Sequence, residues 1–336
     1  MRAALPSRRR VRGAAPFAGA LLLALGACSD DRQVVTVGLI TKQEVNPYWV
    51  TMREVAEDTA EELDVNLLSA TGTSDVDVDS QRRALERMIA DGAQGILVAP
   101  TDSSALLPEI EAARERGVLV IAVDTPFDPE DAVDAFFATD NAFAGRLIGQ
   151  YAKVSAAEMG IEPRIAMLDL APGIGSGEAR RAGFLDGIGI DEGDPAIIAS
   201  ADTEGDRELG KARMAEILAE HPDVNTVYTV NEPAALGALE ALKEAGADLD
   251  ATILVSIDGG CRAIKNAVRS GDIDATAMQF PQNMAREGVR ALATALRGGE
   301  PPTGYFDTGV KLITGDEPPG VDAEDVAYGV RNCWGG

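Results

Sequence analysis

Between Val34 and Gln279, short apolar runs rich in β-branched residues alternate with longer segments rich in Ala, Glu, Arg and Leu. The runs are VVTVGLI (34–40), 65–68, GILVA (95–99), VLVIAVD (118–124), RIAMLDL (164–170), 196–199, 226–230, 252–257 and 275–279. Their hydrophobicity is continuous rather than alternating, as parallel strands covered on both faces require. The segments between them have helix length: 47–63, 79–91, 103–116, 142–159, 206–220 and 233–245. Several open on a capping signal, such as Asp102-Ser103 or Asn231-Glu232-Pro233 with its proline at the first turn. Strand and helix in regular alternation imply right-handed βαβ crossovers and open parallel sheets. At 336 residues the chain exceeds one ordinary domain and suits two of roughly 150 residues. About ten strands, with a change of character near Asp140, divide into two sheets. The predicted class is α/β, with two doubly wound parallel-sheet lobes joined by a hinge. Residues 34–139 with a return at about 281–312 form the first lobe, and 140–280 the second. Residues 313–336 form a tail crossing the hinge.

The N-terminus is of another kind. MRAALPSRRRVRG is followed by AAPFAGALLLALGAC, a basic stretch and then a short apolar run ending in small residues. That order predicts a secretory signal peptide over residues 1–27. The apolar run from Ala14 to Ala27 is short of the about 20 residues that span a bilayer. Leu25-Gly26-Ala27-Cys28 resembles a bacterial lipobox. The resemblance implies cleavage before Cys28, lipidation of its thiol, and a mature protein held outside the cytoplasm by a lipid anchor and a short linker (28–33). Cys261 and Cys333 then remain as an even pair in an oxidising compartment and are expected to form a disulfide tying the tail to the helix after Asp258, the alternative being two separate buried thiols.

Charge and residue counts narrow the function. The formal charge is -25, and residues 1–27 hold five Arg and no acid, so the remainder sets 25 basic against 55 acidic residues. A surface this acidic repels nucleic acid, and no nucleic-acid partner is expected. With a single histidine, His221, before Pro222-Asp223 at a helix end, mechanisms needing two imidazoles are excluded and a helix-terminal role is expected. Three cysteines are too few for a four-thiolate zinc site. Gly173-Ile174-Gly175-Ser176-Gly177 lacks the third glycine of a dinucleotide fingerprint and reads as a strand-to-helix turn. The Asp75–Asp79 cluster lacks the glycine and terminal Glu of a calcium loop and reads as a solvated acidic helix start. Ser176 and Ser256 have no histidine near them in sequence. No catalytic residue, metal ligand or cofactor is predicted, and the chain is read as a non-enzyme.

In open α/β sheets, ligands bind beyond the carboxyl ends of the strands. The segments there are TKQEVNPYW (41–49), Pro100-Thr101-Asp102, Asp124-Thr125, APGIGSGEARR (171–181), Asn231-Glu232, Asp258-Gly259 and Gln279. Asn, Asp, Arg, Gln, Tyr and Trp dominate this set, which suits hydrogen bonding and stacking. Only 15 residues in the chain are aromatic, yet Tyr48 and Trp49 stand side by side after Asn46-Pro47. Aromatic faces pack on the C–H faces of a sugar ring while polar side chains grip its hydroxyls.

From Val34 to about Asp316 the chain resembles the periplasmic sugar-binding proteins of ABC importers, ribose-binding type, which fold as type I periplasmic binding proteins. The motifs are NPYW (46–49), APTDS (99–103), VIAVD (120–124), TDNAFAGRLIG (139–149), EARRAGF (178–184), HPDVNTVYTVNEPAALGAL (221–239), VSIDGG (255–260) and ATAMQFP (275–281). The endings DTGVKLIT (307–314) and NCWG (332–335) are similar to a fructose- and ribose-type subgroup. The resemblance implies ligand contacts at Asn46, Tyr48, Trp49 and Asp124 from one lobe and Arg180, Asn231, Asp258 and Gln279 from the other. It departs at Ala99, Thr125 and Gly205, where ribose binders carry an amide, a guanidinium and an aromatic ring. These losses are expected to open the pocket and remove donors, favouring a larger or differently substituted sugar over ribose. The function implied is that of a monomeric extracytoplasmic lipoprotein that captures a monosaccharide by hinge closure and delivers it to a membrane permease. A sugar receptor for chemotaxis or a sensor kinase, and a nucleoside or other polyol-like ligand, are the alternatives. A transcription regulator built on the same core would need a basic helix-turn-helix where this chain has an export signal.

Overall fold

The structure, a computed structural model, describes residues 34–316 and 318–336. The signal peptide, the lipobox with Cys28 and the linker lie outside the described residues. The chain begins with β1 (Val35–Thr41), α1 (Pro47–Glu62), β2 (Val65–Thr71), α2 (Val78–Ala90), β3 (Gly95–Val98), α3 (Leu107–Glu115), β4 (Leu119–Val123) and β5 (Ala135–Ala138). It continues through α4 (Asn141–Met159), β6 (Ile165–Asp169), α5 (Gly175–Ile188), β7 (Ile197–Asp202), α6 (Arg207–Glu220), β8 (Thr226–Thr229), α7 (Glu232–Ala245), β9 (Ile253–Asp258), α8 (Cys261–Ala263) and β10 (Ala275–Gln279). It closes with α9 (Pro281–Leu296), β11 (Gly304–Asp307), β12 (Val310–Thr314), β13 (Glu324–Asp325) and α10 (Val326–Asn332).

Two sheets result. The first has the order β11-β5-β4-β3-β1-β2 and the second β13-β12-β10-β9-β8-β6-β7. All ladders are parallel except β10–β12. Each sheet is covered on both faces, which is why its strands read as unbroken apolar runs. Val37, Leu39, Leu97 and Ile121 face α1 and α9, while Ile40, Ile96, Val98 and Val120 face α2 and α3. In the second sheet Ile165, Met167, Val255 and Ile257 pack on α4 and α5, and Ala166, Leu168, Val227 and Leu254 pack on α6 and α7.

Helix starts agree with the caps in the sequence. Asn46, Asp77, Asp140, Asp206 and Asn231 each accept a backbone N–H of the first turn with their side-chain oxygen. His221 is the residue that ends α6. The helix expected from Ser103 begins later, at Leu107, because Asp102 Oδ1 holds the N–H groups of Ser104 and Ala105 in a turn of their own. Some short strands escape the periodicity, β5 and β11 among them. AFFA of β5 has four residues, too few to establish a pattern, and β11 is exposed at the sheet edge.

The chain passes between sheets after β5, after β10 and between β11 and β12. β12 pairs with β10, so residues 310–312 fall with the second sheet, where the division expected from sequence leaves them with the first. The crossings are tied together. Thr139 Oγ1 donates to Gly309 O at 3.3 Å, Asn283 Nδ2 to Thr308 O at 3.1 Å, and Asn141 Nδ2 to Asp124 O at 3.3 Å. Cys261 and Cys333 are joined as a disulfide with Cα atoms 4.9 Å apart, bringing the tail onto the loop after β9.

Candidate ligand-binding site

The carboxyl ends of the two sheets face each other, and the loops there touch. Ser103 N donates to Gly173 O at 3.0 Å, Gly175 N donates to Ser103 Oγ at 3.2 Å, and the hydroxyls of Thr125 and Ser176 meet at 2.9 Å. Between them lies a small cavity. Seven of the eight residues expected at the site line it: Asn46, Tyr48, Trp49 and Asp124 on one wall, Arg180, Asn231 and Asp258 on the other. Gln279 stands one layer back, its Nε2 donating to Asp258 Oδ1 at 2.7 Å.

Two aspartates anchor the walls. Asp124 directly succeeds β4 and Asp258 ends β9, and both adopt positive φ, 65° and 106°, outside the comfortable range for a side-chain-bearing residue. Such backbone costs about 1–3 kcal/mol per residue and persists where the surroundings over-determine it. Here they do. Asp124 Oδ1 accepts from Tyr48 Oη at 2.8 Å and Oδ2 from Thr125 Oγ1 at 2.8 Å. Asp258 Oδ2 accepts from Glu232 N at 3.1 Å. Burial pushes the Asp258 carboxyl up to about 6, against the pull of Arg180. Arg180, on α5, lies between the pair, with Nη1 3.5 Å from Asp258 Oδ1 and Nη2 3.9 Å from Asp124 Oδ1. Its Nε donates to Asn141 Oδ1 at 2.8 Å and Nη1 to Val230 O at 3.0 Å, which fixes the fork in place.

The amides and aromatics divide their work. Asn46 and Asn231 spend their Oδ1 atoms as helix caps for α1 and α7, and Asn231 Nδ2 donates to Gly205 O at 3.2 Å. Trp49 Nε1 and Gln279 Oε1 are buried without a hydrogen-bond partner among the described residues. Tyr48 packs edge-on against Trp49 at 4.7 Å and against Trp334 at 5.2 Å. Burial, and then the charges of Asp124 and Asp258, hold its phenol far above its usual range, so it is a neutral donor to Asp124.

Sequence reasoning missed Lys42 and Asp75 as lining residues. Lys42 is 2 % exposed; its Nζ donates to Thr125 Oγ1 at 3.0 Å, lies 3.8 Å from Asp124 Oδ2 and sits 5.5 Å from the centre of the Trp49 ring. The signal was its place directly after the first strand. Asp75 corrects the reading of its cluster as a solvated helix start. Asp77 does cap α2, but Asp75 is 5 % exposed, accepts from Gln43 Nε2 at 2.9 Å, and has a carboxyl raised by burial. Glu232 lies just behind, its carboxyl pushed up to about 7 by burial and by Asp258.

Residues 37–300 match the family model described as a periplasmic binding protein domain. The chain belongs to the periplasmic binding protein family. It is 30% identical over 289 residues to the D-ribose/D-allose-binding protein of Pseudomonas aeruginosa, covering 83% of this chain and 88% of that one. A carbohydrate transporter solute binding protein from Agrobacterium radiobacter, solved with D-arabinose, superposes with a TM-score of 0.76 at 27% identity, over 84% of this chain and 95% of its own. A periplasmic solute binding protein from Actinobacillus succinogenes with bound D-allose gives 0.74 at 26%, over 83% and 97%.

In this periplasmic binding protein the three positions that depart from the ribose-binding resemblance, Ala99, Thr125 and Gly205, are all buried at or behind the walls. The cavity between the walls measures about 20 Å³, room for about one water molecule. Thr125 is completed by Lys42 and Ser176, and since its own proton goes to Asp124, Ser176 is the donor to it. Gly205 has φ +67°, and a Cβ there would lie 2.8 Å from Asn231 Nδ2 and 3.0 Å from Asp75 Oδ2. The left-handed backbone favours glycine at that point. Ala99 is fully buried and its carbonyl accepts from Gln81 Nε2 at 2.7 Å. Outside the cavity, sharing Asn46 with it, lies a second of about 130 Å³ bordered by Gln43, Gly205, Asp206, Arg207 and Arg262.

Proposed function

We propose that this chain is an extracytoplasmic binding protein that captures a neutral monosaccharide between its lobes and presents it to the permease of an ABC importer. It acts as a carrier rather than an enzyme. The observation that carries this reading is Arg180 held between Asp124 and Asp258, with the Tyr48–Trp49 pair beside them. Carboxylates accept from vicinal hydroxyls, the guanidinium fork donates to ring and hydroxyl oxygens, and Trp49 covers an apolar ring face. Lys42 and Trp49 Nε1 supply donors, Asp75 an acceptor.

The cavity of about 20 Å³ is smaller than a sugar, so entry requires the lobes to part. The crossings after β5, after β10 and before β12 carry that motion, and a ligand touching both walls shifts the open–closed balance toward closure. The relatives named for ribose and allose, and the neighbours solved with D-arabinose and D-allose, support an aldose of five or six carbons. A thermal-shift screen of pentoses, hexoses, polyols and nucleosides, with calorimetry on the hits, tests this. A raised Tm with an aldose is expected, and a response to nucleosides alone would overturn it.

The lipobox supports tethering through a lipidated Cys28. Mass spectrometry of membrane-extracted protein should then find a diacylated N-terminus at Cys28; a mature chain that begins upstream of it would refute the anchor.

A further inference from the structure

Neighbouring residues in the tail belong to opposite halves of the molecule. Cys333 packs with the second-sheet cluster of α6, α7 and α8 and is bonded to Cys261. Trp334 is 5 % exposed, and its ring is part of the first-sheet cluster with Tyr48, Trp49, Met52 and Met284. Its polar groups nevertheless stay with the second half, since Trp334 O accepts from Cys261 N at 2.8 Å and Nε1 donates to Gln279 O at 3.0 Å.

This one side chain therefore touches the supports of both strand-end aspartates. Its ring stands edge-on to Tyr48 at 5.2 Å, and Tyr48 Oη holds Asp124. Its indole N–H holds the backbone of Gln279, and Gln279 Nε2 holds Asp258. We propose that Trp334 is a positioning residue for the ligand site, and that the Cys261–Cys333 bond keeps it seated. A short segment beyond a helix end opens locally unless something ties it down. Here α10 ends at Asn332, and the disulfide comes at the next residue. Loss of that bond frees the ring to leave Tyr48, and both aspartates lose a support at once.

The chain has two tryptophans, 49 and 334, so Trp334 is the sole indole emitter in a Trp49→Phe background. In that background, replacing both cysteines (Cys261→Ser with Cys333→Ser) should move the emission to longer wavelength, with the far-UV circular dichroism retained. In otherwise wild-type protein, the cysteine pair and Trp334→Ala should each weaken binding of the aldose chosen by the screen about tenfold. Trp334→Phe keeps an edge against Tyr48 and should stay within about threefold of wild type. This binding comparison rests on the sugar-binding reading above; the emission comparison does not. If no aldose binds wild type, that reading fails, while an unshifted emission would still overturn the seating of Trp334 by the disulfide. A ring that serves only stability would lower Tm and leave the affinity of the folded protein unchanged, and that outcome would overturn the positioning role.

Discussion

Each wall of the cleft brings one cation and carboxyl groups to the ligand site: Lys42 with Asp75 and Asp124, and Arg180 with Asp258, behind which stands Glu232. The composition is matched, but the wiring differs. Asp124 is held by two hydroxyls, of Tyr48 and Thr125, and has the Lys42 ammonium at 3.8 Å. Asp258 is held by the amide groups of Glu232 and Gln279, with the Glu232 carboxyl as a like-charged neighbour. Its nearest cation is Arg180, at 3.5 Å from Oδ1. A lysine is a compact point charge whose three donors fan out from one nitrogen, whereas the guanidinium presents a planar fork whose separate nitrogens address both aspartates together. The second wall therefore controls both carboxylates, and the first controls only its own.

The largest effects should come from the second wall. Removing one partner of a buried charged hydrogen bond leaves the other unsatisfied, at a cost of about 1.5–3 kcal/mol, or roughly one to two decades of affinity. Arg180→Ala and Asp258→Ala should each weaken sugar binding tenfold or more by calorimetry, with the fold intact. Lys42→Met, which keeps the stem and removes the charge, should cost less, on the order of threefold to tenfold. Equal losses at Lys42 and Arg180 would break this asymmetry between the walls. Unchanged affinity in both second-wall variants would mean that the ligand sits elsewhere.

A smaller effect comes with pH, at Asp258. Asp258 has a carboxyl pushed up to about 6 by burial, so it gains a proton as the pH falls through that value and loses its strength as an acceptor. Sugar affinity should be level from pH 8 to 7 and fall below about 6; Asp258→Asn should start weaker and lose that dependence. Stability should move the other way. Asp258 and Asp169 are raised to about 6, and Glu232 and Asp274 to about 7, all chiefly by burial, against about 4 when unfolded. The folded chain thus binds more protons than the unfolded one. Their contribution is full below about pH 4 and is lost as pH rises through 6 to 7. Tm should therefore rise from pH 8 to pH 5 while affinity falls. A Tm that fell over that range would show that these carboxyls are solvated.

The sheets and most of the site were legible because their signals are local. Continuous apolar runs mark strands covered on both faces, and the residues directly after such a strand lie at the sheet's carboxyl end, so Asp124, Asn231 and Asp258 could be read from position alone. Lys42 lay in the same kind of segment, and burial hid it. A lysine is expected in solvent unless a hydroxyl, a carboxylate and an aromatic face converge on it, and Thr125, Asp124 and Trp49 come from separate segments of the chain. Asp75 was hidden likewise, by Asp77 two residues on, which does the capping its cluster advertises. Trp334 lies 286 residues from Tyr48, a separation across which no periodicity carries information.

The smallest expected effect on affinity lies just outside the cleft. Asp206 is the residue after Gly205, so sequence proximity alone would place it in the site. Its side chain is exposed and caps α6, Oδ1 accepting from Leu209 N at 2.9 Å; it borders the outer cavity and not the inner one. Losing an N-cap aspartate costs about 0.5–2 kcal/mol of stability. Asp206→Ala should therefore lower Tm by a few degrees, on the order of 2–4 °C per kcal/mol for a chain of this size, and change sugar affinity by less than about twofold. Both numbers come from one purified variant, by scanning calorimetry and titration calorimetry. An affinity loss as large as that of Asp258→Ala would mean that the ligand reaches past Asn46 into the outer cavity of about 130 Å³, where Arg207 and Arg262 stand, and that it is larger than one sugar ring.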